Sequence, residues 1–107
     1  MARLAAGLLV QALIRRVQAE GGSAAVLARG DQTSGAVLVQ LASHGVEGEL
    51  VERVLDPQGR YRWAAVGPAE GRGDYLARRR RVDPDLWVVE LDHEEARGIL
   101  EDATGHI

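Results

Sequence analysis

The chain contains no cysteine, lysine, asparagine or phenylalanine, and its large aromatic residues are only two tryptophans and two tyrosines. The lack of cysteine excludes disulfides, thiolate catalysis and zinc sites built from thiolates, and it is typical of a protein from a reducing cytoplasm. All 13 basic residues are arginine, a pattern typical of the codon bias of a GC-rich genome. Arginine richness is therefore poor evidence of phosphate binding, and the net charge of −3 disfavours a general nucleic-acid binder.

Long hydrophobic runs are also missing, since no stretch reaches the ~18 apolar residues that a membrane-spanning helix needs. Arg3 and the apolar run Leu4–Val10 resemble the start of a secretory signal. However, Gln11 interrupts the run, and Arg15 and Arg16 follow it without a clean cleavage site. We therefore predict a cytoplasmic protein without a membrane segment.

The composition is that of an ordinary globular protein, with 46% hydrophobic and 27% charged residues among 107. This length predicts a single domain over residues 1–107. Apolar residues recur at helical spacing between Ala5 and Val17, with arginine and glutamine on the opposite side, and predict an amphipathic helix. Gly21 and Gly22 predict a left-handed end to that helix.

Four segments before residue 66 have the composition of strands. Ala24–Arg29 and Ala36–Ala42 are rich in valine, leucine and alanine, and we interpret them as two paired strands. After a loop over Ser43–Gly48, two further strands, Glu49–Leu55 and Arg60–Ala65, flank Asp-Pro-Gln-Gly, a strong hairpin-turn signal.

The second half of the chain predicts a helix, a strand and another helix. Asp74 is a candidate N-cap for a helix over Tyr75–Val82, and Pro84 forces the residue before it out of the helical region. The apolar run Leu86–Leu91 predicts a strand, and His93–Asp102 predicts the last helix.

This order of elements predicts an α+β fold. We expect an antiparallel-rich meander of four to five strands, with an N-terminal helix, a crossover helix and a C-terminal helix packed on one face of the sheet. The crossover helix is expected to return the last strand to a place beside a central strand.

The densest charge in the chain is the run Arg78–Arg81. Four consecutive helical residues point around most of the circumference, and Asp74 and Asp83 offer local partners, so a solvated helix is the favoured interpretation. The alternative is a phosphate or nucleic-acid site that also uses the strand arginines. The candidate binding residues are Arg60, Arg62, Trp63, Arg78 and Arg81.

No catalytic constellation is complete. His93-Glu94-Glu95-Ala96-Arg97 begins like a zinc-protease helix, but Arg97 occupies the position of the second ligand, so we predict no metal and no cofactor. No serine lies in G-x-S-x-G. A small enzyme would have to use His44, which follows Ser43 in a loop, or the carboxylates within Glu90–Glu95.

Binding to a protein partner is the favoured function, because edge strands and hairpin loops of a small meander offer surfaces for a partner while no catalytic motif is present. Trp63 and Trp87 lie on predicted strands, where core packing is the default and an interface or ligand platform the alternative. The oligomeric state is left open by the sequence.

Several segments resemble a known family: Arg3-Leu4-Ala5-Ala6-Gly7-Leu8 followed by Val10-Gln11-Ala12 and Arg15-Arg16, then Gly35-Ala36-Val37-Leu38-Val39, and Asp83-Pro84-Asp85-Leu86-Trp87-Val88-Val89-Glu90. They are similar to a small bacterial family catalogued as domain of unknown function fourteen-ninety-one. The resemblance spans nearly the whole chain, and the segment that begins at Asp83 is its most specific part. It implies a short stand-alone protein and assigns no activity, cofactor or catalytic residue.

Overall fold

The computed structural model describes residues 4–104, which form three helices and a five-stranded mixed sheet. This arrangement confirms the α+β prediction. The elements in chain order are α1 (Ala6–Ala19), β1 (Ser23–Ala28), β2 (Val37–Ser43), β3 (Val46–Leu55), β4 (Tyr61–Ala65), α2 (Arg72–Val82), β5 (Trp87–Asp92) and α3 (Ala96–Thr104). None of the described helices is long and apolar enough to cross a membrane.

The strand order is β1-β5-β2-β3-β4, with β5 parallel to β2 and the other neighbours antiparallel. The crossover through α2 thus inserts β5 beside the central strand β2, as expected. The predicted pairing of the first two strands is wrong, because β5 separates them. The loop between them packs against the start of β5: a Cβ on Gly30 or Gly35 would lie 2.2 Å from the carbonyl oxygen of Asp85.

The end of α1 confirms the predicted left-handed cap. Gly21 has φ +88°, a conformation that glycine adopts without steric cost. Its N–H donates to the carbonyl of Gln18, and the N–H of Gly22 donates to the carbonyl of Val17 at 2.9 Å. These two bonds form a Schellman motif, which satisfies the last helical carbonyls and directs the chain into β1.

Both antiparallel hairpins close in tight turns. In the predicted turn after β3, the Asp56 side chain accepts hydrogen bonds from the N–H groups of Gln58 and Arg60. The loop predicted over Ser43–Gly48 is instead a two-residue turn, in which His44 and Gly45 have φ of 52° and 78°. Two positive φ values are typical of a type I′ turn, which allows β3 to begin three residues earlier than predicted.

The two faces of the sheet carry separate apolar clusters. On one face α1 and α3 cover a large cluster that includes Val39, Val89 and both tryptophans. On the other face a smaller cluster around Leu38 and Leu86 packs against α2. The expectation that all helices lie on one face is therefore wrong, because the central strands β2 and β5 are apolar on both faces, and α2 covers the face opposite α1.

Helix α2 is polar and lies on the surface, with no buried residue along its length. It begins at Arg72, and its N-cap is Gly71 in the left-handed conformation, so the prediction of Asp74 as N-cap is wrong. Asp74 lies in the first turn instead, where a carboxylate is stabilised by the helix dipole. Tyr75 and Leu76 are the residues of α2 that pack against the smaller cluster.

Candidate interaction surface

Strand β1 forms one edge of the sheet. Within the described residues its sole neighbouring strand is β5, with Ser23 opposite Asp92 and Val26 opposite Val89. One side of the β1 backbone therefore faces β5, and the other side faces no strand. Alternate N–H and C=O groups along such an edge are available to pair with another polypeptide.

The side chains of β1 make this edge apolar. The strand reads Ser-Ala-Ala-Val-Leu-Ala and contains neither a charged residue nor a proline. Val26 is 43% exposed and Leu27 is 52% exposed, although both are large hydrophobic residues. Natural edge strands are usually protected by charges, proline or covering segments. β1 has only an irregularity in its register between Val26 and Ala28, near its end.

Charges of opposite sign flank β1. Glu20 is the last residue before the turn that leads into the strand, and it forms an exposed 3.7 Å ion pair with Arg16. Arg29 follows the strand directly, is exposed, and lies with its guanidinium carbon 5.6 Å from the ring centre of Trp87. The edge is thus an uncharged segment with an acidic end and a basic end.

The helix geometry directs the side chains of Arg78–Arg81 to different sides of α2. Arg79 points to the sheet, where its two terminal nitrogens donate to the two carboxylate oxygens of Glu52 at 3.1 and 2.9 Å. This partner and the hydroxyl of Tyr75 raise the pKa of Arg79 further above its ordinary value. Arg78, Arg80 and Arg81 are exposed and have no ion-pair partner among residues 4–104. The four arginines therefore do not form one patch.

A shallow apolar groove runs along α2 beside the exposed Arg78 and the half-buried Arg79. Tyr75, Arg78, Arg79, Val82 and Asp83 line it, and Val82 is 87% exposed. Arg60 and Arg62, the other predicted binding arginines, do not line this groove.

The remaining predicted binding residues lie on β4 and the turn before it. Arg60 and Arg62 are exposed, and Arg62 shares the sheet face covered by α2, because it pairs with Val54 two residues after Glu52. Trp63 is 5% exposed and belongs to the core. Its indole N–H donates to the Thr104 hydroxyl at 2.9 Å. The indole has no open face for a ligand, so we do not place Trp63 in a binding site.

Two groups of residues that the sequence offered for catalysis meet at one end of the sheet. The His44 imidazole lies 3.8 Å from the Glu94 carboxylate, but both side chains are well exposed. Both oxygens of Asp92 accept N–H groups of the turn, from His44 and Gly45, at 2.9 Å each. Asp92 therefore joins the hairpin to β5.

Both ring nitrogens of His93, the second histidine at this end, form hydrogen bonds with backbone groups. Nδ1 of His93 accepts the N–H of Glu95 at 2.8 Å, so Nε2 carries the proton and donates to the carbonyl of Glu20 at 3.0 Å. In the part of the chain that the structure describes, no group of three or more His, Asp or Glu side chains is arranged to hold a metal ion. The depression between these residues is open, so it does not exclude water from a reaction.

A buried polar contact under α2 had no signal in the sequence. Gln40 is fully buried within the apolar strand β2, and its side-chain nitrogen donates to the carbonyls of Leu41 and Gly48 at 2.8 and 3.0 Å. Its side-chain oxygen accepts a bond from Arg72 at 3.0 Å, and Arg72 also donates to the Gly48 carbonyl. Gln40 thereby satisfies backbone carbonyls at a bulge between β2 and β3 and fixes the start of α2.

The fold can now be set beside known proteins. The family model described as "Protein of unknown function (DUF1491)" matches residues 4–101. The chain belongs to the DUF1491 family. A crystal structure of a DUF1491 protein from Caulobacter crescentus CB15 is 32% identical, with a TM-score of 0.78, and the match covers 91% of this chain and 94% of the other. None of the curated proteins matches the chain.

Two solution structures agree with this. One of an A. tumefaciens protein is 35% identical, with a TM-score of 0.74 and coverage of 92% of both chains. An NMR structure of a C. crescentus DUF1491 protein is 31% identical, with a TM-score of 0.73, and covers 92% of this chain and 94% of the other. The resemblance in the sequence is confirmed. Because the family is described as one of unknown function, membership in it supports the fold but assigns no activity.

Proposed function

We propose that this protein is a non-enzymatic interaction module of the cytoplasm that pairs the β1 edge with a strand of another polypeptide. One observation carries the proposal: β1 is an uncharged edge strand on which Val26 and Leu27 are exposed. An exposed apolar edge is a template for pairing, and proteins that do not use such an edge usually protect it.

Strand addition explains how so small a surface supports binding. Main-chain hydrogen bonds along the edge supply affinity, and alternate side chains supply specificity. Val26 lies on the sheet face covered by α1, because its partner Val89 belongs to the cluster under that helix. Ala25, opposite Glu90, lies on the other face. A paired strand would therefore meet apolar or small side chains on both faces of the sheet.

Catalysis has less support from the geometry. His44 and Glu94 are near each other but exposed, while Asp92 and His93 are held by backbone groups. An enzyme usually places its acid and base in a water-excluding site with shifted pKa values. The end of the sheet has the features of a structural junction between the hairpin and β5.

A phosphate or nucleic-acid site also has less support. Arg79, in the middle of the run, is bound to Glu52, and the other three arginines of the run are directed around the helix. Nucleic-acid binders gather several cations on one face. A protein partner therefore agrees best with the described surface.

The experiment adds two charges to the edge. Ala25→Lys with Leu27→Lys places lysines at exposed positions of β1, and Gln18→Lys with Ala19→Lys adds the same charge at exposed positions of α1. Tagged wild-type protein and both variants are incubated with native lysate, and the retained proteins are quantified by mass spectrometry. We expect the wild type and the α1 variant to retain the same proteins and the β1 variant to lose them. Equal retention by a folded β1 variant would refute the proposal.

A further inference from the structure

We infer that the strand that pairs with β1 is β1 of a second copy of this chain, antiparallel to the first and related to it by a twofold axis at Ala25. The inference rests on the proposed function, because it names the partner of the same edge. The resulting dimer would join two five-stranded sheets into one continuous sheet, and each copy would protect the edge of the other.

The absence of charge within β1 suits a self-complementary interface. In a twofold interface the same surface is used by both subunits, so a residue near the axis meets its own copy. A charged residue at the centre would therefore oppose an identical charge, which destabilises a strand pair. From Ser23 to Ala28 the strand contains no ionisable side chain, so no such repulsion arises.

The faces of the sheet restrict the twofold axis to a position at a residue rather than between two residues, and Ala25 lies near the middle of β1. Directly opposed residues of paired strands point to the same face, so a residue on the α1 face must meet another residue on that face. Ala24 and Val26 lie on the α1 face, since they pair with Leu91 and Val89 of the core. An axis at Ala25 places Ala24 opposite Val26 twice and Ala25 opposite its own copy. The small alanines allow the two backbones to approach without a clash.

The charges at the ends of β1 select the antiparallel direction. In an antiparallel pair, the acidic end of β1 in one copy lies beside the basic end of β1 in the other, so Glu20 of one copy approaches Arg29 of the other. The same contact occurs twice because of the twofold axis. A parallel arrangement would place Glu20 beside Glu20 and Arg29 beside Arg29. The existing ion pair between Glu20 and Arg16 is exposed, and such pairs exchange partners at little cost.

The irregular end of the strand limits the pairing to its regular part. The register with β5 is continuous from Ser23 to Val26 and shifts before Ala28. The three central residues of the proposed interface, Ala24 to Val26, lie within the regular part. Leu27, outside it, is exposed and adjoins the pairing segment, where apolar area is removed from water on association.

The first test measures association of the full chain by sedimentation velocity over a range of concentrations. We expect a dimer for the wild type and for Gln18→Lys with Ala19→Lys. For Ala25→Lys with Leu27→Lys we expect dimerisation to weaken about tenfold or more, because Ala25→Lys places a charge on the axis opposite its own copy and Leu27→Lys replaces an exposed apolar side chain beside it. Circular dichroism establishes that each variant is folded.

The second test uses the lack of cysteine in this chain, which makes a single introduced thiol unambiguous. Ala25→Cys places one thiol on the axis, where directly opposed Cβ atoms of antiparallel strands lie about 4.5–5.5 Å apart, close enough for a disulfide after small shifts. We expect oxidation to give a covalent dimer for Ala25→Cys and none for Ala77→Cys, an equally small change at an exposed position of α2.

The outcomes separate the inference from the proposed function. A monomeric wild type, or a dimer that neither responds to the lysines in β1 nor cross-links through Ala25→Cys, would overturn the inference. If the lysate experiment then still showed retention that depends on β1, the edge would bind a different polypeptide and the proposed function would stand. If the lysines in β1 changed neither association nor retention, both would be refuted.

Discussion

Trp87 combines a buried ring with a hydrogen bond to a loop. It is 3% exposed, and its indole N–H donates to the carbonyl of Asp31 at 2.6 Å. The Asp31 side chain in turn accepts the N–H groups of Ser34 and Thr33, which lower its pKa below the ordinary value. Trp87 thus connects the central strand β5 to the loop that separates β1 from β2.

Replacing Trp87 tests this role. We expect Trp87→Ala to lower the free energy of unfolding by about 3–5 kcal/mol, because a large buried side chain leaves a cavity. Trp87→Phe keeps most of the ring and loses the bond to Asp31, so its effect should be clearly smaller. Urea denaturation followed by circular dichroism measures both. A Trp87→Ala protein as stable as the wild type would show that the ring does not support the core.

The sequence indicated the buried role of Trp87 but not that of Gln40. An aromatic residue within an apolar run has a strong tendency to be buried. A glutamine within an apolar run does not by itself indicate whether its side chain is buried. Its burial depends on carbonyls that a bulge exposes and on Arg72, which lies 32 residues away in the chain. Contacts of this kind become visible only when the strand register is known.

At the level of elements, α2 is attached to the sheet mainly by polar contacts and two partly buried side chains. Arg79 binds Glu52 with two nitrogens, and Arg72 contacts Gln40 and the Gly48 carbonyl. A segment with few buried apolar contacts opens at a lower free energy than the core. The attachment of α2 to the sheet therefore depends more on charge pairing than the attachment of α1 does.

Removing the Arg79 guanidinium should loosen this helix. We expect Arg79→Gln to lower the free energy of unfolding by about 1–2 kcal/mol, since a partly buried carboxylate loses a charged hydrogen-bond partner. Amide hydrogen exchange along α2 should accelerate more than exchange in α1. Arg80→Gln, at an exposed position one residue later, should change neither. Unaltered exchange in α2 of Arg79→Gln would mean that the ion pair does not hold the helix.

The elements were predictable from the sequence, but the strand order was not fully so. Apolar periodicity, Gly21 with Gly22 and the turn at Asp56–Gly59 indicated α1 and β4 close to their observed bounds, and the end but not the start of β3. The assumption that neighbours in the chain are neighbours in the sheet misplaced β1. Both β2 and β5 are buried on nearly both faces, as expected for central strands. If β1 and β2 formed the predicted hairpin, β1 would occupy the edge of β2 at which β5 lies, and the sheet could not have two adjacent central strands.

For the whole molecule, the net charge of −3 and the division of the arginine run predict weak binding to nucleic acids. We expect wild-type protein and Arg78→Gln with Arg81→Gln to show equally low affinity for RNA and for duplex DNA. Fluorescence anisotropy at physiological salt measures both. A wild-type dissociation constant below about a micromolar, lost in the double variant, would show that the arginines form a nucleic-acid site.

The pairing of β1 is the central claim, and residue-resolved amide hydrogen exchange tests it most directly. In an isolated edge strand, outward N–H groups exchange rapidly, whereas a paired edge protects them. We predict that the outward N–H groups within Ala24 to Val26, which do not pair with β5, become protected as wild-type concentration rises, and that Ala25→Lys with Leu27→Lys abolishes this protection while leaving β2 and β5 protected. Rapid exchange of the outward β1 amides at every concentration, equal in wild type and variant, would contradict the claim that this edge pairs with a second copy.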